Sequence, residues 1–176
     1  MALPCEGRDE WTLESTHDTT TDPGVREDAQ LAQRRAQFTC YLKCPQRQAC
    51  LDWATEHEYQ RDPEGRKREP FHIYGGLLAR ERTNLSKGLP LVGPAQMRWG
   101  FPKDHQVDQL LDPTYTAAGL ADEWGMTFKS LKAMLADWLW TIRLEQADPA
   151  VMLHGVAAAK KNGETSGELT STVRAA

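Results

Sequence analysis

The sequence predicts an all-α chain: a small helical domain centred on four cysteines, a second small three-helix unit, and a disordered tail. Three observations predict it. Small and apolar residues recur at spacings of three and four along stretches that lack glycine and proline. Glycine and proline gather instead at a few joints between those stretches. From Gly155 onward the chain is mostly small and polar, with no aromatic residue to build a core.

The elements follow in order. Residues 1–24 show little periodicity, and Thr16–Gly24 reads as a loop by its Thr, Asp, Pro and Gly content. Glu27–Thr39 contains no Gly or Pro; Ala29, Ala32 and Ala36 recur at helical spacing, and Leu31 and Phe38 are seven apart. Pro45 stands where a first-turn proline opens a second helix, running through Cys50, Leu51 and Ala54 to His57. Residues 62–70 form a charged loop containing Arg66-Lys67-Arg68. Gly75-Gly76 marks a tight turn before a short helix over 77–85. Residues 87–102 carry three prolines and three glycines and read as a linker. Residues 104–146, rich in Leu, Ala, Met and Trp, read as three helices. The resulting division is a domain over 1–87, a linker over 88–103, a helical unit over 104–146 and a mostly disordered tail over 147–176.

Composition narrows the function. With 26% charged and 40% apolar residues the chain is expected to be soluble and globular. It has no run of eighteen apolar residues, so no membrane partner is expected. The N-terminus has no basic segment followed by an apolar stretch, which points to the cytosol, where structural disulfides are rare. The formal net charge of −4 offers nucleic acid no general attraction, so a DNA reading has to rest on local basic patches. No Ser–His–Asp pattern, phosphate loop or paired-carboxylate motif stands out, and the chain is not expected to be an enzyme of those kinds.

All four cysteines, Cys5, Cys40, Cys44 and Cys50, fall in the first 50 residues. Three lie as Cys40-x3-Cys44-x5-Cys50. Four thiolates are the donor set of a tetrahedral zinc site or of a cubane iron–sulfur cluster, and soft thiolate favours both over hard cations. Residues four apart share a helical face, so Cys40 and Cys44 point one way if a helix runs through both. Paired Cys-x2-Cys hairpins, the commoner zinc signature, are missing. Buried free cysteines and a metal-free thiol–disulfide oxidoreductase remain alternatives.

Two segments together resemble a known family. Cys44-Pro45-Gln46-Arg47-Gln48-Ala49-Cys50-Leu51-Asp52-Trp53-Ala54 and Ile73-Tyr74-Gly75-Gly76-Leu77-Leu78-Ala79-Arg80-Glu81-Arg82, with Cys5 and Cys40, look like the WhiB-like proteins of actinobacteria and their phages. The resemblance spans residues 5–87. It implies a 4Fe–4S cluster on Cys5, Cys40, Cys44 and Cys50, sensitive to oxygen or nitric oxide. It also implies a turn, Tyr74-Gly75-Gly76, that contacts region 4 of the primary sigma factor, and a role in transcription regulation. Trp11 sits where the family often has an aromatic residue. Three positions depart from the family pattern: the first cysteine pair is spaced x3 rather than x2, His72 stands in place of glycine, and Tyr74 in place of tryptophan. One extra helical residue turns a side chain by about 100°, so the backbone at Cys40–Cys44 must differ locally. His72 reads as a loop residue, or as a substitute ligand should a cysteine not reach the iron.

Two stretches suit DNA. Residues 61–103 hold nine basic residues against four acidic ones. Arg66, Lys67, Arg68, Arg80, Arg82 and Lys87 within it suit phosphate contacts. Thr116–Leu135 has a helix-turn-helix pattern. Ala121 lets two helices approach, Gly125 supplies the turn, and Leu120, Trp124, Met126, Leu131 and Met134 form a small core. Thr127 is expected to cap a recognition helix reaching Trp140, with Thr127, Phe128, Lys129 and Lys132 exposed toward promoter DNA. A plain helical hairpin is the alternative.

Overall fold

The computed structural model describes residues 22–57 and 72–148. Every named element in them is a helix: α1 (Pro23–Lys43), α2 (Arg47–His57), α3 (Ala79–Ser86), α4 (Asp104–Leu111), α5 (Ala117–Glu123) and α6 (Phe128–Glu145). The chain is all-α, and none of these helices is long and apolar enough to cross a membrane. Cys5, Trp11, Arg66, Lys67, Arg68 and the expected disordered tail beyond 148 lie outside the described residues.

α1 is longer than its periodicity suggested. Asp22 accepts hydrogen bonds on its carboxylate from the Gly24 and Val25 amides (2.8 and 3.3 Å), and Pro23 occupies the first turn. The Asp-Pro-Gly run read as loop is therefore a helix start: proline lacks the amide that a first turn leaves unpaired anyway. α2 starts two residues after Pro45, which sits in the turn before it. α5 ends in a turn where Gly125 has φ +62 while the Met126 amide donates to the Ala121 carbonyl (2.9 Å). Thr127 then caps α6, its hydroxyl oxygen accepting from the Ser130 amide (3.2 Å).

α1 is buried on two sides. Leu31, Phe38 and Tyr41 join Leu110, Leu120, Ala121, Leu131, Met134, Leu135, Trp138, Leu139 and Ile142 in the largest core. Ala36 and Cys40 instead pack with Ile73 and Leu78. Phe38 and Cys40 are two residues apart, hence about 160° apart around the axis, so one helix serves both cores. Polar ties reinforce the first contact. Arg35 donates to the carbonyls of Leu110 and Tyr115, both at 2.6 Å, and Asp28 accepts from the Ala117 amide at 2.6 Å, at the start of α5.

Residues 87–103 contain no helix, in keeping with their prolines and glycines, but they are seated. Leu91 is buried with Leu77, next to Leu51, Leu85 and Trp140. The Arg98 amide donates to Asp137 of α6 (2.7 Å), and a Cβ on Gly93 would lie 2.6 Å from the Trp140 ring. The segment thus runs along α6 as a strap, and the stretches on either side of it share the α1 core.

Candidate functional site

The cysteine hairpin is the end of α1, a short turn, and the start of α2. Cys40 is buried on α1. The helix does not run through Cys44: it ends at Lys43, and Cys44 is the C-cap with extended backbone (φ −95, ψ 112). The shared-face argument for Cys40 and Cys44 accordingly fails at its second residue, because the chain leaves the helix there. Cys50 lies in the first turn of α2, its amide donating to Gln46 (3.0 Å). Cys44 and Cys50 are half-buried, and none of the three forms a disulfide. Among the described residues no three His, Cys, Asp or Glu side chains are grouped as a metal site. By donor chemistry three thiols within eleven residues, one buried and two half-buried, fit an iron–sulfur cluster or zinc.

The glycine turn rests on this hairpin. Tyr74 and Leu77 exchange backbone hydrogen bonds (3.2 and 3.0 Å) across Gly75 and Gly76, whose φ of +56 and +78 define a type I′ turn. A Cβ on Gly75 would lie 2.6 Å from Leu51 Cβ; one on Gly76 would lie 2.5 Å from the Tyr41 ring and 3.3 Å from Cys40 Cβ. Both positions need glycine twice over, for conformation and for room. Tyr74 stays half-exposed beside Trp53 and His72 (ring centroids 5.7 and 6.0 Å), with Trp53 stacked on His57 at 4.6 Å. His72 has φ +62, a conformation that favours glycine.

Behind the turn lies a buried polar network unforeseen in the sequence. Arg143 of α6 donates to the Gly76 carbonyl (3.1 Å), to both Glu81 carboxylate oxygens (3.0 and 3.1 Å) and to the Tyr41 hydroxyl (3.0 Å). Arg47 of α2 donates to the Gly75 carbonyl (3.2 Å) and to Asp148 (3.3 Å), with its guanidinium 4.4 Å from the centre of the Tyr41 ring. Tyr41 donates to Asp148, and Gln37 donates to both Gly76 and Glu81. Asp148 is 1% exposed although it falls in the stretch assigned to the tail. Its position follows from the end of α6, where Ala147 takes φ +49 and the Asp148 amide donates to Arg143 (3.0 Å).

The electrostatics are those of a largely buried, paired site. Burial would raise Glu81, but the Arg143 charge and hydrogen bonds, with the Leu78 amide, hold its carboxyl below the usual range. Burial would likewise lower Arg143, yet Glu81 and Tyr41 raise it further above its ordinary value. Burial pushes the Tyr41 hydroxyl up, against the two guanidinium groups and with Asp148. Arg34, which donates to Gln37 (3.0 Å), is pushed down to about 10 by burial, against the attraction of Glu81 and with the repulsion of Arg143 and Arg80. The signals for these residues are faint: Arg143 is the one cation in the mostly apolar stretch Trp138–Leu144, and Arg47 lies between two cysteines.

The residues assigned to DNA separate. Arg80, Lys87, Thr127, Lys129 and Lys132 are exposed. Arg82 is buried rather than displayed: it donates to the carbonyls of Leu77 (2.6 Å) and His72 (3.0 Å) and its guanidinium lies 5.0 Å from the Tyr74 ring centre. Its part is to hold the turn. On α6 the strap lies beside Ala133 and Ala136, leaving a groove of about 520 Å³ lined also by Pro94, Arg98 and Trp99. The N-cap Thr127 and Lys129 in the first turn of α6 are not among the residues lining that groove, and Phe128, expected to be exposed, packs against the main core because its ring is apolar. Comparison with family models, curated proteins and solved structures finds no match to this chain.

Proposed function

We propose that the chain is a cytosolic, non-enzymatic transcription regulator that carries an iron–sulfur cluster and acts through the primary sigma factor and promoter DNA. Cys5, Cys40, Cys44 and Cys50 would hold a 4Fe–4S cluster, which when bound supplies a centre sensitive to oxidants or nitric oxide. The observation that carries the reading is that the glycine turn is seated on the cysteine-bearing helices, against Cys40 and Leu51. The half-exposed Tyr74, backed by Arg82, offers an aromatic face to region 4 of sigma. His72, at φ +62 where the WhiB-like pattern has glycine, adds support. Arg80, Lys87, Thr127, Lys129 and Lys132 are the accessible groups for phosphates and bases.

Anaerobic purification with iron and sulfide analysis tests it. About four of each per chain, with a thiolate-to-iron charge-transfer band that Cys50→Ala abolishes, is expected. A colourless protein with tightly held zinc would sink the reading, and steady disulfide reduction by a metal-free form would replace it with an oxidoreductase. Sigma region 4 is expected to co-purify with the wild type and not with Tyr74→Ala. Lys129→Ala with Lys132→Ala is expected to weaken promoter binding and flatten its salt dependence.

A further inference from the structure

α2 and α6, far apart in the chain, meet at one pair of carbonyls. Gly75 O is held by Arg47, which lies between Cys44 and Cys50 on the polypeptide. Gly76 O is held by Arg143, three residues from the Trp140 that packs against the strap. Tyr41, the neighbour of Cys40, bonds both Arg143 and Asp148, and Asp148 is in turn paired with Arg47. The loop of contacts closes: α1 to α6, α6 to the turn, the turn to α2, and α2 back to Asp148, three residues past the end of α6. Arg143 is 3% exposed and Asp148 1%. Breaking a pair that involves either of these buried groups is costly.

We infer that this network couples the cysteine hairpin to the C-terminal part of α6, so that a change at Cys44 or Cys50 that moves α2 loosens residues 140–148, and a change at Arg143 alters access to the thiols. The coupling goes beyond the regulator reading and holds for any chemistry at the cysteines. Under that reading it is the route from the cysteines to the DNA-facing helix. Two features argue for coupling over plain stabilisation. Both arginines act on one rigid two-residue turn, which cannot follow one and ignore the other. The turn has no side-chain slack, since its glycines already touch Leu51 and Tyr41. Coupling between binding or modification events is also reciprocal, so it can be read from either end.

The test uses the full chain without added metal. Cys44 and Cys50 are alkylated with N-ethylmaleimide, labelling is followed peptide by peptide, and amide hydrogen exchange is compared before and after. Exchange over residues 140–148 is expected to rise by about tenfold, an ordinary size for coupling between sites, while α5 and the first turns of α6 stay unchanged. From the other end, Arg143→Lys, which keeps the charge but loses the fork, is expected to raise the labelling rate of Cys44 and Cys50 several-fold. Ser86→Ala, exposed on α3 outside the network, leaves it unchanged. Unaltered exchange over 140–148 after labelling overturns the inference. So does a general rise that includes α5 to the same extent, because that reports unfolding. If Arg143→Lys does not fold, the wild-type exchange measurement decides alone. Failure of iron loading or sigma binding leaves these outcomes untouched, so the two readings fail separately.

Discussion

The two sides of α1 are held by different physics. On one, Leu31 and Phe38 meet α4, α5 and α6 through an apolar core in which Leu110, Leu120, Leu131, Leu135 and Ile142 are at most 1% exposed. On the other, Cys40 packs with Ala36, Ile73 and Leu78 in a smaller apolar cluster and meets a turn whose position is set by Arg47, Glu81, Arg82 and Arg143. The apolar side tolerates small errors, because contacts are many and non-directional. The polar side depends on a few directional partners and is costly to leave half-made. A region of that kind holds one arrangement firmly and gives way as a unit, which suits the side that carries the thiols.

The largest effects should separate the two sides. Arg143→Met removes the cation paired with Glu81 and the guanidinium donors to the Tyr41 hydroxyl and the Gly76 carbonyl, and is expected to cost about 3–5 kcal/mol, the range for breaking a buried pair. Leu131→Ala, on the apolar side, is expected to cost about 2–5 kcal/mol. Their totals overlap, but their distribution differs. Hydrogen exchange in Arg143→Met should rise most over 72–82 and 140–148, whereas Leu131→Ala should raise it across α4–α6. Equal profiles for the two variants would erase the distinction. The acid limb gives a second reading. Glu81 has a lowered folded-state value, so its contribution is complete above the ordinary carboxylate range near 4.5, declines as pH falls below that, and is gone below the lowered value. The wild type should therefore lose more stability than Arg143→Met between pH 5 and the acid end, measured by denaturant unfolding.

Gly76→Ala comes next. A left-handed conformation costs a side-chain-bearing residue roughly 1–2 kcal/mol, and a Cβ 2.5 Å from the Tyr41 ring adds an overpacking cost of about 1–3 kcal/mol. Ser86→Ala, on the exposed end of α3, is the control and should be nearly silent. Thermal unfolding checks both. If Gly76→Ala melts with the wild type, the turn is not seated as described.

How legible each side was in the sequence follows the same divide. Helical periodicity and capping residues act locally, so α4, α5 and α6, the Gly125 turn and the Thr127 cap could be read from neighbours in the chain. The apolar members Leu120, Trp124, Met126, Leu131 and Met134 were recognised, and all five lie in or against the main core. The cysteines and the Gly75-Gly76 turn stood out by residue type alone. The network did not, because its bonds join residues far apart in sequence: Tyr41 with Arg143 and Asp148, Glu81 with Arg143. Arg82 was misplaced for a different reason, since its partners Leu77 and His72 are near in the chain. A cation beside Arg80 on a short helix reads as surface until the fold shows that its guanidinium turns inward to Leu77 and His72. Asp148 was lost to the tail because the turn that points it inward rests on Ala147, where the usual signal is glycine.

That alanine provides the smallest and cleanest test of the comparison. Ala147 has φ +49 at the end of α6, where it lets the Asp148 amide return to Arg143 and the Asp148 carboxylate reach Tyr41 and Arg47. Ala147→Gly relieves the left-handed strain but frees the unfolded chain, so the net gain is expected to be about 0.5–1 kcal/mol. His72, at φ +62, is the matching position on the other side of the turn, but its ring also touches Tyr74 and its backbone carbonyl accepts from Arg82. His72→Gly should therefore gain less than Ala147→Gly. Denaturant midpoints in parallel would show it. If Ala147→Gly destabilises instead, the turn is not held in the left-handed form, and Asp148 is not delivered to the network by the end of α6.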